Sequence, residues 1–261
     1  MSAPEAPGRG GPVTDRATRV LQDNPGPLTL DGTNTWVLAE PGARDAVVVD
    51  PGQDGPSAAA HRDAVLARLA GRGLRCALVV LTHHHADHTG ALPLLLAACP
   101  GAGVVRRDDV ADGEEREVGG LVLRFLRTPG HTADSLSVLV PADRALLSGD
   151  VVLGRGSTVV GPDGDLGDHL RSLGRLAAEP DAEVLLPGHG PARRDGRAVV
   201  REQLDHRLQR LEQVRAAVDA GAGSVAAVVL AVHGPLPEPL ARAARWSVEA
   251  QLRHLGLHLP A

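Results

Sequence analysis

Thr82-His83-His84-His85-Ala86-Asp87-His88 follows directly on an apolar run, residues 76–81, and no other feature of the chain restricts its fold as strongly. The run reads as a buried strand by its length and its Val and Leu content. Its far end must therefore deliver four potential metal ligands, His83, His85, Asp87 and His88, into one loop. A rigid element behind a ligand-bearing loop is the usual arrangement of a site that does chemistry.

Three further pieces repeat the pattern of a short apolar strand or turn followed by one ligand: Gly130-His131-Thr132, Asp150 after residues 145–149, and Gly188-His189-Gly190 after residues 184–187. Imidazole suits zinc, and a carboxylate can bridge two cations. Five histidines and two aspartates are thus the right inventory for a pair of ions. The glycines let the backbone turn sharply beside them.

The order His83-x-His85-x-Asp87-His88, then His131, Asp150 and His189, resembles the metallo-β-lactamase fold superfamily over residues 17 to about 195. The resemblance implies an α/β (α+β) fold, a four-layer αβ/βα sandwich with the site along one edge. By it His83, His85 and His131 would hold the first ion, Asp87, His88 and His189 the second, and Asp150 would bridge both. Two Zn2+ are the expected cofactor, with iron or manganese as alternatives. In that superfamily the lactam-hydrolysing branches lack an aspartate matching Asp150, so antibiotic hydrolysis is not expected. The diiron oxygen-reducing branch has a glutamate where this chain has His85. A mononuclear iron sulfur-oxygenase branch shares many of the ligands and stays an alternative.

A second layer of resemblance, to the lactamase-beta-like-protein-2 group, lies in residues 24–36, in Leu153-Gly154-Arg155-Gly156-Ser157-Thr158, and in residues 165–173. That group carries a His-Arg pair on a helix after the last ligand, matched by His206-Arg207, and a C-terminal winged-helix-like module that would contain Trp246, Glu249, His254 and Leu255. His169 stands where the group usually has an aromatic residue, which weighs against base-stacking.

The chain's 261 residues, 43% of them hydrophobic, suffice for one large core with a small appendage. The expected division is a loose Pro/Gly-rich tail over 1–16, a catalytic domain over 17–196, and a helical linker with the winged-helix-like module over 197–261. Only Trp36, Phe125 and Trp246 are aromatic, so the core must be aliphatic. All 27 basic residues are arginine, and the net charge of −5 gives no global attraction for a polyanion. Cys76 and Cys99 lack metal-like spacing and read as packing residues. The N-terminus has no apolar signal segment, and no stretch approaches the roughly 20 apolar residues of a membrane span, which makes the cytoplasm the expected location.

Strands are expected at 36–39, 46–50, 121–127, 135–140 and 145–148. Helices are expected at 57–70 with Ser57 as N-cap, at 91–98, and at 166–176 capped by Asp165. An apolar stripe through Val200, Leu204, Leu208, Leu211, Val214 and Val218 predicts a helix over 197–220, with two more over 224–232 and 239–255. The C-terminal helices would cover apolar surface, form a homodimer contact or present a nucleic-acid strand.

The mechanism these readings imply is hydrolysis by a metal-bridging hydroxide, its pKa brought from 15.7 to about 7. Asp87 would ligate and orient that nucleophile, and Asp150 would set the distance between the ions. Asp50 and Thr82 are expected to fix ligand rings from behind, although Asp50 also fits a simple turn. The resemblance implies that Asn34 and Thr35 approach the substrate, while the residues themselves fit a turn equally well. Arg155 is an anion contact or a surface residue, and His206 a substrate-facing proton donor or a solvated helix residue. The expected substrate is an ester, thioester or phosphodiester: a small molecule or acyl group in the main reading, single-stranded RNA in the alternative. A noncatalytic binding protein ranks below both, because structural zinc sites usually close on four ligands and this set leaves room for substrate.

Overall fold

The computed structural model describes residues 10–238 and 240–260. Two five-stranded sheets face each other. The first runs β1 (Ala17–Leu21), β2 (Asn34–Leu38), β3 (Asp45–Val49), β4 (Arg75–Val80) and β5 (Gly103–Val105) in sequential order. β1, β2 and β3 pair antiparallel, and β3, β4 and β5 parallel. The second comprises β6 (Glu115–Val118), β7 (Leu121–Arg127), β8 (Leu136–Val140), β9 (Ala145–Gly149) and β10 (Val184–Pro187), antiparallel except for the parallel pair of β9 and β10.

Strand periodicity explains the layering. Successive side chains of a strand point to opposite faces, and both faces here are apolar. Trp36, Leu38, Val47, Val49 and Val80 of the first sheet meet Leu121, Leu123, Phe125, Val138 and Leu147 of the second in one central core. The alternate residues Val37, Val48 and Val79 face α1 (Ala58–Ala70) and α3 (Leu92–Ala98), which follows the single turn α2 (Ala86–Thr89). Leu126, Leu139, Leu146 and Leu185 face α4 (Leu166–Ala178) and the first turns of α5 (Gly196–Asp219). Strands buried on both faces read as continuous apolar runs, as residues 76–81 did. Two of the three aromatic residues, Trp36 and Phe125, fill the centre, and aliphatic side chains do the rest.

Asp165 caps α4 as expected, its carboxylate accepting the Asp168 N–H at 2.8 Å. Ser57 precedes α1 but does not cap it; its Oγ accepts from Gln22 Nε2 at 3.2 Å instead. The stretch expected as a tail divides. Residues 1–9 lie outside the described residues, whereas Arg16 pairs with Glu40 and with Asp143, both at 2.7 Å. Glu40 follows β2 and Asp143 lies between β8 and β9, so Arg16 links strand ends of the two sheets and its segment belongs to the folded body.

Beyond Leu204, α5 packs with α6 (Val225–His233) and α7 (Leu240–His254) around Val214, Val228, Val248 and Leu252. Pro239, the expected first residue of the last helix, lies outside the described residues. Among the described residues no strand follows β10, so the C-terminal unit is helical and has no wing hairpin. Among the described residues, no helix is long and apolar enough to cross a membrane.

Candidate metal centre

Five strand ends open on one edge of the sandwich. Asp50 follows β3, Thr82 and the ligand loop follow β4, Asp150 follows β9, Gly188 and His189 follow β10, and the His131 turn precedes β8. The seven side chains picked out from the sequence converge here. His83, His85 and His131 form one group of neighbouring ligand atoms, Asp87, His88 and His189 form another, and Asp150 groups with His83 and His88 between them.

Hydrogen bonds behind the rings fix which nitrogen of each is bare. The Asp50 carboxylate accepts from Thr82 N (2.8 Å), Thr82 Oγ1 (2.7 Å) and His88 Nδ1 (2.8 Å). Because the Thr82 hydroxyl proton is spent on Asp50, His83 Nδ1, at 3.0 Å, must donate to Thr82 Oγ1. The buried His83 Nε2 is left without a protein partner. His131 Nδ1 donates to Val159 O (2.8 Å), and His189 Nδ1 to Gly32 O (3.0 Å). His85 Nε2 lies 3.0 Å from Asp163 Oδ2, which leaves Nδ1 as its bare atom.

All five bare nitrogens point inward. His131 Nε2 stands 3.0 Å from His85 Nδ1, and His88 Nε2 3.2 Å from His189 Nε2. Two lone pairs in such contact repel unless a positive charge lies between them. Nitrogens sharing one tetrahedral zinc at 2.0–2.1 Å stand about 3.3 Å apart, within a few tenths of an ångström of these separations. The carboxylates complete the donor set: Asp87 Oδ2 is 3.1 Å from His189 Nε2, and Asp150 lies 3.4 Å from both His88 Nε2 and His189 Nε2 and 3.9 Å from His131 Nε2. These residues therefore fit divalent metal ions.

The charge balance points the same way. Burial opposes a charge on His189, but Asp150 and Asp87 outweigh it and push its pKa up to about 9. His88 is likewise raised against its burial by Asp150 and Asp50. Burial alone would lift Asp150, yet His189 and His88 hold it well below the usual carboxylate range. His83 and His131, with less carboxylate around them, are lowered by burial. The pocket is thus built around net negative groups that call for cations, as protons or as metal.

Two glycines are required by close approach. A Cβ on Gly188 would stand 2.5 Å from Asp150 Oδ1 and 2.6 Å from His88 Cε1. One on Gly149, at φ +49°, would stand 2.6 Å from Thr82 Oγ1.

A cavity of about 450 Å3 opens over the cluster, with His85, Asp87, His131 and Asp150 in its lining. Its walls are mainly apolar, from Leu28, Leu30, Leu153, Val159, Leu240 and Trp246. α7 thus supplies part of the wall, and the third aromatic residue stands in it. Arg155 lines the cavity and pairs with Asp31 at 2.9 Å. His206 does not line it; its Nδ1 lies 3.0 Å from Oγ of Ser157, which does.

Asn34 and Thr35 are corrected. Both are fully buried in β2 and neither lines the cavity. Asn34 Nδ2 donates to Pro187 O (3.0 Å) and Gly190 O (2.8 Å), bracing the His189 turn. The Thr35 hydroxyl donates to Asp50 O (2.5 Å) and accepts from His61 Nε2 (2.7 Å). They support ligands from behind because β2 lies inside the first sheet next to β3, a placement with no sequence signal. The sequence reading also missed His61, Asp163 and the structural role of Arg207, a buried cation that donates to Thr158 O. The acidic turn around Asp163 was the available signal for one of these.

The metallo-beta-lactamase superfamily model matches residues 28–117 and 105–189. The chain is 35% identical over 248 residues to an atrochrysone carboxyl ACP thioesterase from Aspergillus chevalieri, covering 89% of this chain and 78% of that protein. It is 35% identical over 216 residues to the beta-lactamase-like protein 2 homolog of Caenorhabditis elegans, covering 77% and 70%. Among solved structures it is similar to a beta-lactamase domain protein from Burkholderia ambifaria, with TM-score 0.80, 25% identity and coverage of 97% and 90%. A metallo-beta-lactamase family protein from Thermus thermophilus gives 0.70, 26%, 91% and 93%. The sequence matches and the geometry of the site agree: the chain belongs to the metallo-beta-lactamase superfamily.

Proposed function

We propose that this chain is a dinuclear zinc hydrolase that cleaves an ester or thioester of an apolar acyl group. The observation that carries this reading is the convergence of five bare imidazole nitrogens and two carboxylates in one cluster, four members of which, His85, Asp87, His131 and Asp150, line an apolar cavity. Bound there, two zinc ions would supply Lewis acidity and a water ionised near neutral pH. His83, His85 and His131 would hold one ion, Asp87, His88 and His189 the other, and Asp150 both.

The chain's own groups do the rest. Asp87 lines the cavity, and although burial would raise its pKa, His189 and His88 keep it below the usual carboxylate range, so at neutral pH it accepts a hydrogen bond from the attacking water and orients it. Leu28, Leu30, Leu153 and Trp246 take the acyl group and exclude water around the carbonyl. Ser157 Oγ, braced by His206, offers a hydrogen bond at the wall. The relative named as an ACP thioesterase supports a thioester. Among the cavity-lining residues the single cation, Arg155, is already paired, which gives a polyanionic RNA strand little to bind.

The test measures metal content by elemental analysis and turnover on a panel of acyl thioesters, acyl esters and unstructured RNA. Zinc at two per chain and turnover of the acyl substrates are expected. Asp87→Ala is expected to slow the reaction by about 10²–10⁴-fold, the scale of a lost proton-handling group. Asp150→Ala with full metal content and full activity contradicts the reading, as does RNA cleaved in preference to every acyl substrate.

A further inference from the structure

Five imidazoles face the proposed ions, and each is held from behind. Three of them are held by buried residues, His83 by Thr82 Oγ1, His88 by Asp50 and His189 by Gly32 O, and His131 is held by a backbone carbonyl, Val159 O. His85 differs. Its partner is the Asp163 carboxylate, 3.0 Å from Nε2, and the Asp163 side chain is 42% exposed at the cavity wall.

Asp163 is nevertheless not free to wander. Its turn closes on itself through Gly164 N–H to Gly161 O (3.2 Å), and the next residue, Asp165, donates its N–H to Gly130 O (3.0 Å). Gly164 packs so tightly that a Cβ there would stand 2.4 Å from Gly130 O and 2.5 Å from His131 O. The carboxylate that faces His85 is therefore carried by a turn hydrogen-bonded to Gly130 O and packed against the carbonyl of His131, another member of the same ligand group.

We propose that Asp163 is a positioning residue of the metal centre. It holds His85 with Nε2 protonated and so turns the Nδ1 lone pair toward His83 and His131. The inference rests on the metal reading above and deepens it. An imidazole rotates freely about its side-chain torsions unless its second nitrogen is engaged, and an anionic acceptor also raises the donor strength of the ligating nitrogen. The other groups near Asp163 frame the test. His84 Nε2 lies 3.3 Å from Asp163 Oδ2, while His84 Nδ1 is 2.8 Å from Asp134. His84 therefore shares the carboxylate without any atom in the His83, His85 and His131 group, which makes it the control.

The full-length chain is prepared as Asp163→Ala, Asp163→Asn and His84→Ala. Zinc affinity is measured by competition with a chelator, and the cobalt-substituted proteins are followed by visible absorption. Asp163→Ala is expected to weaken one of the two ions about 10–100-fold, the usual effect of losing a partner behind a ligating histidine, and to shift the cobalt bands. Asp163→Asn, whose amide oxygen still accepts from Nε2, is expected to recover part of the loss. His84→Ala is expected to keep both affinity and spectrum, and the melting temperature of the metal-free protein should be the same for all, because Asp163 is half in solvent. Wild-type affinity and spectrum in Asp163→Ala overturn the proposal alone. A third zinc in the wild type, lost in both His84→Ala and Asp163→Ala, overturns it by making these residues ligands of a rim ion. A wild type that binds no zinc overturns it together with the metal reading, so the two failures are told apart.

Discussion

His61 gives the sharpest quantitative test of how the centre is supported. It sits on α1, only 3% exposed, donates from Nε2 to Thr35 Oγ1 and faces no carboxylate through that ring, so burial pushes its pKa down from 6.5 to about 4. Between these two values the unfolded chain carries the proton and the folded chain does not. Stability therefore rises with pH across this window and is lost as pH falls from 6.5 toward 4. Applying the linkage relation to the two pKa values gives a loss of about 2 kcal/mol between pH 7 and pH 5 from this one group, or ~4–8 °C in melting temperature for a chain of this size. His83, His131 and His169 are lowered by burial as well and act with the same sign, so the wild type alone does not isolate the effect. The comparison with His61→Gln does, because the glutamine amide can still donate to Thr35. Denaturant unfolding in chelator at pH 7 and pH 5 should show the variant losing about 2 kcal/mol less than the wild type. Equal losses in the two proteins would refute the argument that a neutral, buried His61 is part of the folded state.

Two further substitutions act on the ligands themselves. Gly188→Ala places a methyl group against Asp150 Oδ1 and His88 Cε1 and should lower zinc affinity at least about tenfold, the lower end of what disturbed ligand geometry costs; metal content after dialysis measures it, and an unchanged content counts against the close packing described. Thr82→Val keeps the volume but removes both the acceptor for His83 Nδ1 and one of the three donors to Asp50. It should cost about 1–3 kcal/mol in the metal-free fold and about 10–100-fold in zinc affinity, read by chemical denaturation and by titration calorimetry.

What could be read from the chain divides by the kind of atom that does the work. His83, His85, Asp87, His88, His131, Asp150 and His189 were legible because ligation demands particular side chains, and short apolar strands announced where the chain would present them. The sandwich was legible for a related reason: strands such as β8 and β9 are apolar on both faces and need a layer on each side. Backbone acceptors left no such mark. Val159 O and Gly32 O fix two ligand rings, yet any residue at 159 or 32 offers the same carbonyl. Asn34 and Thr35 misled because a polar pair beside a turn suggests exposure, and only the place of β2 between β1 and β3 puts them in the interior. Among the described residues the C-terminal helices come without strands after β10, and Trp246 takes its meaning from the place of α7 in the cavity wall.

Asp50 shows why so many distant residues must be set together. It is a non-glycine residue at φ +54°, a conformation that costs an L-residue about 1–2 kcal/mol. Its backbone turns left-handed where β3 ends, and its carboxylate meets Thr82 at the end of the neighbouring parallel strand β4. From there one carboxylate reaches both halves of the ligand set: His88 directly, and His83 through the Thr82 hydroxyl. Thr35 and His61 then hold the Asp50 carbonyl from the other side. Three charge-assisted hydrogen bonds, each stabilising by about 1.5–3 kcal/mol, outweigh the strain. The two ligand groups are consequently not independent sites that happen to adjoin. A change at Asp50 must loosen His83 and His88 together, so the proposed ions should be lost as a pair when Asp50 is replaced and singly when the damage is confined to the ring of His85.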